Sequence, residues 1–107
     1  MAETLIADVG FMLRQSKRRS YQDLIVRMFT TYITFLQENG LTTRTILEGS
    51  ALPDASTRIM SSDLTEDGLA FVRRAEQPWF SAVDRGVSPE DTAILEKELT
   101  KLRSDRA

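Results

Sequence analysis

Three observations predict a mainly α-helical domain of about four helices, with a short irregular or β-hairpin segment at 41–63. Apolar residues recur three and four apart in four stretches, Asn39-Gly40 and Gly86 stand where helices should stop, and only residues 41–63 lack a helical period. At 107 residues the chain reads as one domain spanning 1–107. That length can bury a core, yet it leaves room for pairing to add stability, so a homodimer is expected.

The first helix is expected over about Glu3 to Gln15, with Leu5, Val9, Met12 and Leu13 on one face and Ile6 and Phe11 widening it. The second should begin at Ser20, whose hydroxyl caps exposed amides with Asp23 three residues on, and end at Asn39-Gly40. Between them Leu24, Ile25, Met28, Phe29, Tyr32, Ile33 and Leu36 form a stripe broad enough for burial on two sides. Within 41–63, the β-branched residues of Thr42 to Leu47 and Thr57 to Met60 flank a turn-like Gly49-Ser50-Ala51-Leu52-Pro53-Asp54, so a hairpin and an ordered loop are both open. The third helix should be capped by Thr65 or Asp63 and turn Leu69, Val72, Ala75, Trp79 and Val83 inward until Gly86. Pro78 predicts a kink near Gln77 or a break there, because proline lacks an amide donor and crowds the preceding turn. A fourth helix should start at Ser88 as cap with Pro89 in its first turn, and carry a seam of Leu95, Leu99 and Leu102 with Ile94 beside it.

Composition narrows the function classes. Fourteen Lys and Arg against sixteen Asp and Glu leave a net charge of −2, which argues against general binding to nucleic acid or membrane surfaces, both of which need a positive field. The chain has no Cys and no His, so Ser-His and Cys-His nucleophile pairs and most zinc sites are ruled out. No dinucleotide, phosphate-loop or EF-hand pattern occurs, and the expectation is a non-enzymatic protein without cofactor. No window approaches the roughly 20 apolar residues of a membrane span and no export signal is legible at the start, so the cytoplasm is the expected compartment.

Arg14, Lys17, Arg18 and Arg19 place four positive charges in six positions. They read either as a solvated turn between helices or as a patch for phosphate or an acidic protein. Asp63, Glu66 and Asp67 are the tightest acidic group, and at a helix start they read as capping charges in preference to a cation site. The aromatic residues at helical spacing read as core. Phe80 beside Trp79 points in another direction on the same helix and so becomes a candidate partner contact.

The run Leu64-Thr65-Glu66-Asp67-Gly68, then Ala75 and Trp79, the Ser88-Pro89-Glu90-Asp91 segment and Leu95, Leu99 and Leu102 resemble the C-terminal part of MarR-type winged-helix regulators. Asn39-Gly40-Leu41-Thr42-Thr43-Arg44 looks like that family's exit from recognition helix to wing, and the resemblance covers about residues 37–102. It implies a dimer interface built from the final two helices together with the first, with Arg44 and Arg58 at wing positions that contact DNA. The sequence departs from the family between Arg19 and Gly40, where one uninterrupted helix replaces the two that a helix-turn-helix needs. The leading expectation is therefore a protein-interaction module: a small bacterial regulator, adaptor or immunity-type inhibitor that binds a protein partner or itself. Its candidate interface is Trp79, Phe80, Leu95, Leu99 and Leu102. The alternative is a degenerate winged-helix regulator that binds DNA through Arg14, Lys17, Arg18, Arg19, Arg44 and Arg58.

Overall fold

The protein is mainly α-helical with a small antiparallel strand pair, in keeping with the predicted class. The computed structural model describes residues 3–49 and 51–106. In chain order these are β1 (Leu5–Asp8), α1 (Val9–Leu13), α2 (Arg19–Glu38), β2 (Arg58–Met60), a 3-10 turn at Ser61–Asp63, α3 (Glu66–Asp84) and α4 (Ala93–Arg106).

The helix expected over 3–15 does not form as one piece. Its first half is β1, which pairs with β2 in antiparallel register, Leu5 opposite Met60, Ala7 opposite Ile59 and Asp8 opposite Arg58. Beyond the ladder the Ser61 amide donates to the Thr4 carbonyl at 2.8 Å. This pairing gives the backbone of residues 4–8 partners that the first turn of a helix lacks, and it overrides the local helical period. Asp8 then accepts a hydrogen bond from the Phe11 amide at 3.2 Å and starts the short α1. The backbone of Ala55 occupies the space that a side chain at Gly10 would fill, so this corner closes only around glycine.

The described residues of 41–63 form an irregular loop that contains β2. The strand pairs with the N-terminus and not with Thr42 to Leu47; Thr42 makes only an isolated bridge to Leu64. Gln37 organises the loop's first half, its side-chain oxygen accepting from the amides of Ile46 (2.6 Å) and Leu47 (2.8 Å) while its amide group donates to the Leu47 carbonyl at 3.2 Å. Of the expected turn, Ser50 lies outside the described residues.

Helix boundaries differ from expectation where side chains have better uses. Ser20 is inside the first turn of α2, whose N-cap is Arg18 with no side-chain cap. At the other end the expected stop holds. Gly40 takes φ 68°, and the amides of Gly40 and Leu41 donate to the carbonyls of Gln37 (3.2 Å) and Leu36 (2.9 Å), the double bond of a Schellman motif. Thr65 caps α3 through the Gly68 amide at 3.0 Å, as predicted. α3 does not break at Pro78. That residue is exposed, so the carbonyl left without a donor lies on the solvent side, where water can replace the lost bond. Ser88 does not cap α4 either. Residues 88–91 form a turn in which the Asp91 amide donates to the Ser88 carbonyl at 3.0 Å, and the helix starts at Ala93, whose amide donates to Asp91 Oδ1 at 2.9 Å. Burial of Pro89 and the pairing of Glu90 with Arg27 on α2 hold that turn in place.

The core lies between α2 and α3. Tyr32 and Trp79 stack at 5.4 Å between ring centroids, and Phe35 stacks on Phe71 at 5.5 Å. Ile33, Leu36 and Ile59 fill the same interior and are fully buried. α4 packs chiefly against α3 and stands off from α2. The large rings between α2 and α3 and the stand-off of α4 leave two concavities, one on each side of α2.

Candidate functional site

The six basic residues do not form one patch. Arg14, Lys17, Arg18 and Arg19 are exposed in the link between α1 and α2, while Arg44 follows the far end of α2, whose 20 residues span about 30 Å. Arg44 is also committed. Its Nε donates to Asp63 Oδ1 at 2.7 Å, and Asp63 is buried and accepts from the Met60 amide at 2.9 Å. Burial works to raise the Asp63 pKa, but the hydrogen bonds from Arg44 and the Met60 amide, with the Arg44 charge, together take it below the ordinary value. Arg58 faces Asp8 across the strand pair at 3.7 Å. Both wing-position arginines thus sit beside a carboxylate.

Four of the five candidate interface residues are in the chain's own core. Trp79 and Leu95 have no exposure, and Leu99 and Leu102 have 5% each. The Trp79 indole N–H donates to the Asp91 carbonyl at 3.1 Å, which pins the 88–91 turn to α3. Phe80 alone is half-buried, and it borders a cavity.

The first concavity is a groove of about 630 Å³ between α2 and α4. Five threonines line it (Thr30, Thr31, Thr34, Thr92 and Thr100), over a floor that includes Phe35 and Leu99. Thr30 and Thr31 spend their hydroxyl protons on the carbonyls of Val26 and Arg27, so their oxygens face the groove as acceptors. Arg27 pairs with Glu90, whose pKa its hydrogen bonds hold below the usual carboxylate range, and Arg103 donates to the Asn39 carbonyl at 3.1 Å. Glu38 and Glu96 also line the groove, and neither has an ion-pair partner among the described residues.

The second concavity, about 370 Å³, lies between β1, α1, α2 and α3. Leu5, Phe11, Met12, Phe29 and Phe80 supply apolar walls, and Leu5 (50% exposed) and Phe11 (56%) are open to solvent. Glu76 of α3 lines this cavity. Burial pushes its pKa from 4.5 up to about 7, with the neighbouring Tyr32 hydroxyl pulling the other way. The two groups approach without closing a well-formed hydrogen bond, since Tyr32 Oη and Glu76 Oε1 are both buried and unpartnered. Phe29, Tyr32, Trp79 and Phe80 form a connected set of rings around this carboxylate's helix turn, at 5.4–6.4 Å between centroids.

Sequence reasoning missed Glu76, although a signal exists. It falls three and four residues before Trp79 and Phe80 and four after Val72, which puts a carboxylate on the apolar side of α3. Among the described residues there is no group of three or more potential metal ligands, and no helix is long and apolar enough to cross a membrane. No protein-family model matches the chain, and neither a curated protein nor a solved structure matches it.

Proposed function

We propose that the protein is a non-enzymatic interaction module of the regulator, adaptor or immunity-inhibitor kind, and that it receives a basic segment of a protein partner along the groove between α2 and α4. The observation that carries this reading is the pair Glu38 and Glu96, two carboxylates without an ion-pair partner among the described residues, Glu96 accepting only from the Thr92 hydroxyl at 3.3 Å, over a groove with an apolar floor and threonine walls. A lysine or arginine side chain laid there gains a charge partner, and its methylene stem can lie on Phe35 and Leu99. The net negative charge of the chain favours the same class of partner.

The test is a pull-down with the tagged full chain, run with nuclease and in parallel with the Glu38→Lys, Glu96→Lys double variant, both folded by circular dichroism. A stoichiometric protein held by the wild type and lost by the variant, with retention that weakens as salt is raised, supports the groove. Equal recovery by both proteins sinks it. Recovery of nuclease-sensitive material alone moves the winged-helix alternative into first place, with Arg14, Lys17, Arg18 and Arg19 as its contacts.

A further inference from the structure

We propose that the cavity between β1, α1, α2 and α3 binds a small organic cation, a primary ammonium carried on a hydrophobic aryl or alkyl group, with Glu76 as its counter-charge. The inference is independent of the α2–α4 groove. Its basis is a mismatch inside the cavity. The walls are Leu5, Phe11, Met12, Phe29 and Phe80, yet the acidic Glu76 stands among them, with one carboxylate oxygen buried beside the Tyr32 hydroxyl.

Each alternative occupant fits worse. An anion meets Glu76 and Asp8, both negative when ionised. A neutral apolar molecule fills the walls but strips the remaining water from Glu76 and leaves it uncompensated, which costs free energy. A hard metal ion wants six or more oxygen ligands, and this lining offers two carboxylates, one of them already engaged. Asp8 caps α1 through the Phe11 amide and faces Arg58, so Glu76 is the group left to answer a ligand. An ammonium satisfies the remaining demands together. It supplies donors to the carboxylate, its charge is attracted to the faces of Phe29 and Phe80, and its apolar body replaces water against Leu5, Phe11 and Met12. The volume of about 370 Å³ lies in the lower part of the range for small-molecule pockets, about 300–1,000 Å³, so the ligand is compact.

The pH dependence follows from the groups facing Glu76. Tyr32 contributes from α2, and Asp8, beside Arg58, from the end of β1. With the empty site titrating near 7, Glu76 is mostly protonated at pH 6 and mostly ionised at pH 8, whereas an alkylammonium keeps its proton at both. Binding therefore tightens by about tenfold from pH 6 to pH 8.

The experiment is titration of the full chain with benzylamine and with its neutral counterpart benzyl alcohol, at pH 6 and pH 8, by calorimetry and by the fluorescence of Trp79, the chain's single tryptophan. Benzylamine is expected to bind at least tenfold more tightly than benzyl alcohol at pH 8 and to lose about tenfold at pH 6. Glu76→Gln should erase both differences. Phe11→Ala, a change at an exposed position, should weaken benzylamine several-fold with the melting temperature unchanged. No benzylamine binding, equal affinity for the alcohol, or an unchanged preference in Glu76→Gln would each overturn the proposal.

Discussion

Glu76→Gln should make the protein more stable, by an amount that depends on pH in a defined direction. The carboxylate titrates near 4.5 when exposed and near 7 in the folded protein, because burial disfavours its charge. At about 1.4 kcal/mol per pKa unit that difference sets a ceiling of about 3.5 kcal/mol. Glu76 is not fully buried, and solvent reaching it through the cavity screens the charge, so about 1–2 kcal/mol is the expected share. The sign is opposite to that of a salt-bridged acid. As pH rises from about 4.5 to about 7, the unfolded chain releases this proton while the folded chain keeps it, so the group lowers stability across that window and the loss is complete above it. Glutamine is neutral throughout and nearly the same shape. The variant should therefore match the wild type at pH 4 and exceed it by about 1–2 kcal/mol at pH 8. Urea unfolding followed by Trp79 fluorescence at the two pH values measures the difference, in which the other titrating groups cancel. A variant no more stable than the wild type at pH 8, or a gain of the same size at pH 4, would refute the claim that burial of this charge is what the fold tolerates.

Trp79→Ala should cost about 3–5 kcal/mol, since it removes a fully buried ring stacked on Tyr32 and the anchor of the 88–91 turn; a urea midpoint by circular dichroism within about 1 kcal/mol of wild type would remove Trp79 from the core argument. Gly68→Ala should destabilise by about 1–3 kcal/mol although alanine is the better helix former, because the added methyl meets the Leu41 carbonyl oxygen and the α3 start must shift; a raised melting temperature would contradict this. Asp63→Asn should cost about 1–3 kcal/mol at pH 7 by breaking the charged pair with Arg44 and weakening the bond from the Met60 amide. Because the Asp63 pKa is lowered in the folded state, that stabilisation is present above the unfolded pKa and fades as pH falls through the folded one. The wild-type and Asp63→Asn unfolding curves should converge in acid, and curves already equal at pH 7 would overturn the assignment.

Which features were legible in the sequence depended on whether the signal was local. The stops at Asn39-Gly40 and Gly86 and the Thr65 cap could be read because each is settled by backbone conformation and a bond to a near neighbour. The start of α4 could not. Ser88-Pro89-Glu90-Asp91 satisfies the local rule for a helix start, but Glu90 is held by Arg27, 63 positions away, and the Trp79 indole takes the Asp91 carbonyl. The N-terminus shows the same thing more strongly. Leu5, Val9 and Met12 keep helical spacing, yet the chain pairs with residues 58–60, whose approach no local pattern announces. The burial of four of the five candidate interface residues within the chain was illegible for a different reason. A leucine seam on a helix says that the face is covered and leaves open what covers it, and here α3 of the same chain covers it.

Glu76 is informative because its burial costs the fold more than the neighbouring Tyr32 hydroxyl returns. Among the described residues the glutamate neither caps a helix nor closes a salt bridge, and its Oε1 lies buried beside the Tyr32 hydroxyl without a well-formed hydrogen bond. A leucine or methionine at this position of α3 would meet Phe29 and Phe80 and add to the core, whereas the carboxylate holds an ionisable group among aromatic rings. Departures of this kind, where local physics points to one residue type and the chain carries another, concentrate where binding or chemistry compensates for the lost stability. By contrast, the arginines that a nucleic-acid reading would use at the wing sit beside Asp63 and Asp8, an arrangement that needs no ligand to explain it. The same reasoning thus treats the two groups differently. Charges already paired within the fold are structural, and the unpaired, desolvated carboxylate at the edge of an open apolar cavity is where a ligand has something to complete.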